Sequence, residues 1–199
     1  MPNELCFAIY YKVPDRAFER AAATWVAQEC GNRPVLTEVV ATEADFKRAW
    51  DAVALRARTA NARVVLGQVF SHSSKGGDST GLEFKPGGGD DGTLTQAEIQ
   101  SLPVLPWAAG GRLILSGCNS GLTGTRGWAP AGAFAKRQGV PTVGMAGYGY
   151  FSTDKDKYVE IKPADTTIYL WAYKRGKNDS YVGNLFGSGG RMAGVEFQP

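Results

Sequence analysis

With 199 residues, a net charge of +3, 43% apolar and 21% charged residues, the chain has the make-up of one globular domain, 1–199, long enough to bury a core unaided. Its lysines and arginines are scattered and no apolar stretch approaches the roughly 20 residues of a membrane-spanning helix, which sets aside nucleic acid and a membrane span as partners. Three cysteines without a CxxC pair, beside one histidine, argue against a Cys/His zinc site, and no cofactor or metal is expected.

The first half alternates strand and helix signals. Leu5 to Val13 reads as a strand, and Asp15 to Glu29 as an amphipathic helix with Phe18, Ala22, Trp25 and Val26 on one stripe, stopped by Gly31. Val35 to Val40 is a second strand; Thr42 caps a helix to about Thr59 whose Phe46, Trp50 and Val53 face the core. The apolar run from Ala62 to Ser71 then ends at His72. This order implies a parallel sheet with right-handed crossovers. Ser73 to Thr93, rich in Gly, Asp and Pro, reads as a long functional loop.

Thr95 and Glu98 form a capping box, with Leu94 and Ile99 as its hydrophobic staple. Arg112 to Gly117 is another core strand, ending at Cys118, and Asn119 to Gly124 forms a turn. Pro130 opens a helix that Gly139 closes, and Val140 to Gly147 is a further strand. Lys157 to Lys162 and Thr166 to Lys174 are strand candidates for a C-terminal antiparallel hairpin, whose exposed edge offers a route to a homodimer or a regulatory partner.

Chemistry is expected where the strands end. In open α/β sheets, ligands collect outside the carboxyl ends of the strands. His72 and Cys118, the only histidine and one of three cysteines, each close an apolar run there, which is the minimum for a thiol nucleophile with its base. The histidine precedes the cysteine, so a papain-like order is excluded. Gly117-Cys118-Asn119-Ser120-Gly121 has no central serine and no histidine after it, which disfavours Ser116 or Ser120 as a hydrolase nucleophile.

This pattern resembles the caspase-like (clan CD) cysteine peptidases, in which the histidine lies about 50 residues upstream of the cysteine. The stretches from Asp91 to Ile99 and from Arg112 to Gly121, followed by a Gly-Ala helix and Gly139-Val140-Pro141-Thr142-Val143, are similar to the CHAT branch, related to separase and the gingipains. The likeness spans roughly 64–146. It implies an α/β fold, a three-layer caspase-like sandwich with a mainly parallel sheet flanked by helices.

It also implies a cysteine endopeptidase acting through a thioester acyl-enzyme on a protein or peptide substrate. His72 and Cys118 would be the dyad, and the backbone N–H groups of Ser73 and Cys118 the oxyanion hole. The family usually has Gly after the histidine, where this chain has Ser73, and often Ala before the cysteine, where it has Gly117. Substrate-binding candidates are Asp78, Asp90, Asp91, Asn119 and Tyr148, with Glu83 and Asp154 as further acids suited to a basic side chain before the cut, and Tyr150 and Phe151 beside Tyr148. The alternatives are an inactive interaction module on the same fold and a thiol amidase or transpeptidase acting on a non-protein amide. Met1 to Leu5 has no charged n-region or apolar h-region, so a cytoplasmic location is expected; delivery by a specialised secretion system, as an effector or toxin, would leave no such signal either.

Overall fold

The computed structural model describes residues 3–14, 16–76, 80–84, 92–146 and 194–199, and the backbone of strands at 148–152, 169–173 and 181–183. Its central sheet has six strands. Five are parallel: β1 (Asn3–Tyr11), β2 (Val35–Val40), β3 (Ala62–Phe70), β7 (Trp107–Leu115) and β8 (Thr142–Met145). The sixth, β12 (Gly194–Phe197), joins β8 antiparallel. The spatial order is β2-β1-β3-β7-β8-β12, so the chain turns back on itself between β1 and β3. Such a reversal opens a crevice at the carboxyl ends of those strands. β1 is an interior strand, and Leu5 to Ile9 are all buried, as expected of a strand covered on both faces.

Helices cover both faces. α1 (Ala17–Trp25) buries Phe18, Ala21, Ala22 and Trp25 along one stripe and brings Trp25 to Phe70 of β3, ring centroids 6.5 Å apart. It runs on as a π-helical turn, Val26–Cys30, that Gly31 ends at φ +58°. On the opposite face, Phe7 of β1 meets Trp50 of α2 (Glu43–Thr59) at 5.6 Å, and Trp50 meets Phe134 of α4 (Pro130–Gln138) at 5.4 Å. Gly67 makes room for this: a Cβ there would lie 2.3 Å from the Phe7 ring. The caps follow the sequence. Thr42 accepts from the Asp45 N–H, Thr95 and Glu98 close a reciprocal box ahead of α3 (Gln96–Ser101), and Gly139 ends α4 at φ +67°.

The segment expected to be one long loop contains structure. β4 (His72–Ser74), β5 (Gly81–Glu83) and β6 (Thr93–Leu94) form a small antiparallel sheet. Leu82, Phe84 and Leu94 are fully buried, and Phe84 stacks on Phe46 of α2 at 5.1 Å. Apolar anchoring at a few positions outweighs the loop-like composition around them. Another difference lies at β7, which begins at Trp107. Near its start the register slips, Val64 facing Trp107 and Leu66 facing Arg112, with Gly110 at φ +77° in the extra length.

At the carboxyl end of the chain, β9 (Tyr148–Ser152), β10 (Tyr169–Tyr173) and β11 (Tyr181–Gly183) form an antiparallel three-stranded sheet. The candidate strand at Lys157 to Lys162 lies outside the described residues. Among the described residues no helix is long and apolar enough to cross a membrane.

Two polar groupings, one buried and one partly exposed, tie elements together. Cys6 of β1 and Cys30 are both fully buried, and a thiol–thiol hydrogen bond to Cys30 holds the Cys6 thiol below its ordinary range. Lys47 of α2 pairs with Glu43 and, at 2.7 Å, with Glu98 of α3. Burial, and then a hydrogen bond shared with Glu98, push the Glu43 carboxyl up to about 8 despite Lys47. Burial acts upward on Glu98 too, but hydrogen bonds from Glu43, Lys47 and Thr95 hold it at about 2.

The folded chain therefore keeps a proton on Glu43 that the unfolded chain releases, and stability falls as pH rises from about 4.5 through about 8. Glu43→Gln is expected to flatten that fall, read as urea midpoints at pH 5 and pH 8. An unchanged drop between the two pH values would mean that Glu43 is not its source.

Candidate functional site

β3 and β7 are neighbours in the sheet and parallel, so the residues that follow them emerge at one edge. The ladder runs one residue past the end of β7, where Ser116 N–H donates to the Val69 carbonyl at 2.8 Å. Beside it, buried Gln68 donates from Nε2 to Ser116 Oγ at 2.6 Å and clips the two strand ends together. His72 follows the end of β3 at Phe70 by two residues, and Cys118 follows Ser116 by two.

Gly117 brings the two segments into contact. A Cβ on it would stand 2.7 Å from Ser73 Cβ, 3.2 Å from the Ser71 carbonyl oxygen and 3.3 Å from that of His72. Only glycine permits so close a crossing at this point. The chain then turns sharply. Asn119 takes the left-handed conformation at φ +59°, one that asparagine tolerates better than most residues, and Ser120 N–H returns to the Gly117 carbonyl at 3.1 Å.

Ser120 is a structural tie here. Its buried hydroxyl donates to the Leu115 carbonyl and accepts from the Met145 N–H, each at 3.0 Å, which fits the expectation that it is no nucleophile. Gly121 and Gly144 complete the closure; a Cβ on Gly144 would lie 2.4 Å from Gly121 N.

Of the expected site residues, His72 is exposed at the start of β4, and its imidazole meets the rings of Phe18 at 5.1 Å and Tyr11 at 5.8 Å, both edge-on. Across the small sheet it stands in register with Glu83, so the two side chains share a face. Cys118 is half-buried and forms no disulfide. Ser73 is buried in β4 and is not among the residues with positive φ, so its backbone does not call for the glycine usual in the family at that position. Asn119 is buried. Asp78, Asp90, Asp91 and Asp154 lie outside the described residues, as do the side chains of Tyr148, Tyr150 and Phe151.

Among the described residues, Ser71 Oγ, Ser73 Oγ, Asn119 Oδ1 and Gln68 Oε1 are buried without a hydrogen-bond partner. Such atoms are uncommon in a finished core, and these four belong to the ends of β3 and β7 and the segments that follow them, while Trp25 Nε1, Gln28 Oε1 and Arg112 Nε lie elsewhere. No three His, Cys, Asp or Glu side chains among the described residues are grouped to hold a metal ion.

The aromatic seat of His72 escaped the sequence reading, since Tyr11 and Phe18 are remote in the chain. Gln68 was legible in principle, as a lone amide inside an apolar strand. No family model matches this chain, and no curated protein matches it.

Gly117→Ala is expected to cost about 1–3 kcal/mol, the usual range for overpacking. Because the nearest atom is Ser73 Cβ, adding Ser73→Gly should recover part of that cost in urea denaturation. Strictly additive costs would refute the contact.

Proposed function

We propose that this chain is a cysteine endopeptidase built as a caspase-like sandwich, with Cys118 as nucleophile and His72 as its acid–base partner. The observation that carries this is the parallel pairing of β3 with β7, with Gly117 laid against Ser71–Ser73, which delivers the one histidine and a half-buried cysteine to the same sheet edge. The buried polar atoms left unpartnered around that edge, Ser71 Oγ, Ser73 Oγ and Asn119 Oδ1, support a working site over a packed strand end.

In this reading the Cys118 thiolate attacks the scissile carbonyl carbon and forms the C–S bond of a thioester. His72 donates its proton to the departing amine as the C–N bond breaks. Backbone N–H groups of Ser73 and Cys118 receive the negative charge on the carbonyl oxygen, a contribution of about 3–4 kcal/mol per well-placed donor. Water, deprotonated by His72, then cleaves the thioester and releases the acid. Glu83 stands in register with His72 on the same face of the small sheet.

Neo-N-terminus mass spectrometry of a cell lysate treated with the protein tests this. New termini are expected with the wild type and none with Cys118→Ala, while His72→Ala should slow cleavage by about 10²–10⁴-fold. Termini that persist in Cys118→Ala would end the proposal. A wild type as silent as Cys118→Ala would favour an inactive module or a non-protein amide as substrate.

A further inference from the structure

A groove of about 450 Å³ opens at the carboxyl ends of β1 and β2, beside the start of α1. Tyr10, Tyr11, Val13, Pro14 and Val39 supply its apolar wall; Val39 is 53% exposed, unusual for a branched aliphatic on a sheet. Arg16 and Glu19 also line it but neutralise each other, Arg16 Nε donating to Glu19 Oε2 at 2.8 Å. That leaves the exposed Lys12 as the groove's uncompensated charge among the described residues. Tyr11 belongs to two places, lining the groove and presenting its ring to His72.

The position of the groove gives it a role in the reaction proposed above, on which this inference rests. A general acid must reach the departing nitrogen, so the leaving segment passes on the His72 side of Cys118. Along the sheet the order is β7, β3, β1, β2, so a segment leaving past His72 continues toward β1 and β2. Strands are spaced about 4.8 Å apart, which puts the groove roughly 10–14 Å from Cys118, or three to four residues of extended chain.

We infer that this groove binds the leaving side of the substrate polypeptide, taking a large apolar side chain at the third or fourth residue beyond the cut with an acidic neighbour on Lys12. The volume suits one aromatic or branched side chain with its backbone. The charge selects a carboxylate, and the apolar wall excludes a polar side chain from the floor.

The test is fluorescence anisotropy on the full chain carrying Cys118→Ala, with a labelled pentapeptide bearing phenylalanine and then glutamate at its third and fourth positions. Binding should weaken at least tenfold with Lys12→Glu and return at least tenfold when the peptide's glutamate is replaced by lysine, a rescue that a misfolded variant cannot give. Replacing the phenylalanine by glycine should weaken binding by a similar factor. Affinity indifferent to Lys12→Glu, or to loss of the phenylalanine, overturns the inference, as does a cleavage profile whose apolar–acidic preference lies before the cut. Because binding is read on a chain that lacks the nucleophile, Cys118-dependent cleavage with indifferent binding sinks the groove alone, whereas selective binding without any cleavage sinks the peptidase reading and, with it, the assignment of the groove to a leaving side.

Discussion

The parallel pairing of β3 with β7 is the constraint on which the rest depends. Parallel neighbours release their chains at the same end of the sheet, so two residues far apart in sequence arrive together without any contact between their own side chains being needed. The Gln68–Ser116 clip fixes the ends in the direction across the strands, and the bare Cα of Gly117 fixes them in depth. Each device is costly on its own: a buried amide with one oxygen unpartnered, and a glycine with no side chain to pack. They persist together where the position of a backbone matters more than the last increment of stability.

The surroundings of His72 follow from the topology as much as from local sequence. The chain reverses direction across the sheet between β1 and β3, so the end of β1 and the start of α1 become the wall facing the end of β3. That wall is aromatic, with Tyr11 and Phe18 presenting ring edges to the imidazole. The other side of His72 is held by the small sheet, which is anchored to the opposite helical layer through Phe84 and Phe46. A single exposed side chain is thereby seated by both layers of the domain.

Much of this architecture was legible because it rests on short-range physics. Branched aliphatic runs mark buried strands, and Thr42, Thr95 and Gly139 mark helix ends through hydrogen bonds and backbone angles confined to a few residues. What escaped was non-local or diluted. β5 and β6 hold on through Leu82, Phe84 and Leu94, three anchors scattered among glycines and acids. The start of β7 is a Trp-Ala-Ala-Gly-Gly stretch with little strand character, paired only because β3 is already beside it. The positions of His72 and Cys118 at strand ends could be read from the chain. The contact of Gly117 with Ser73, and the shared use of Tyr11, required the sheet order.

The placement of sulfur has its own consequence. Cys118 sits half-buried at the sheet's rim, whereas Cys6 and Cys30 are sealed between β1 and the π-helical turn. A thiol reagent in native buffer therefore meets two kinds of sulfur: one within its reach in the folded protein, and a pair that reacts only after the π-helical turn has lifted from β1. The slow class times the opening of that corner and the fast one reports the rim, so the chain carries a stopwatch for its own breathing in addition to the atom on which its chemistry is proposed to turn.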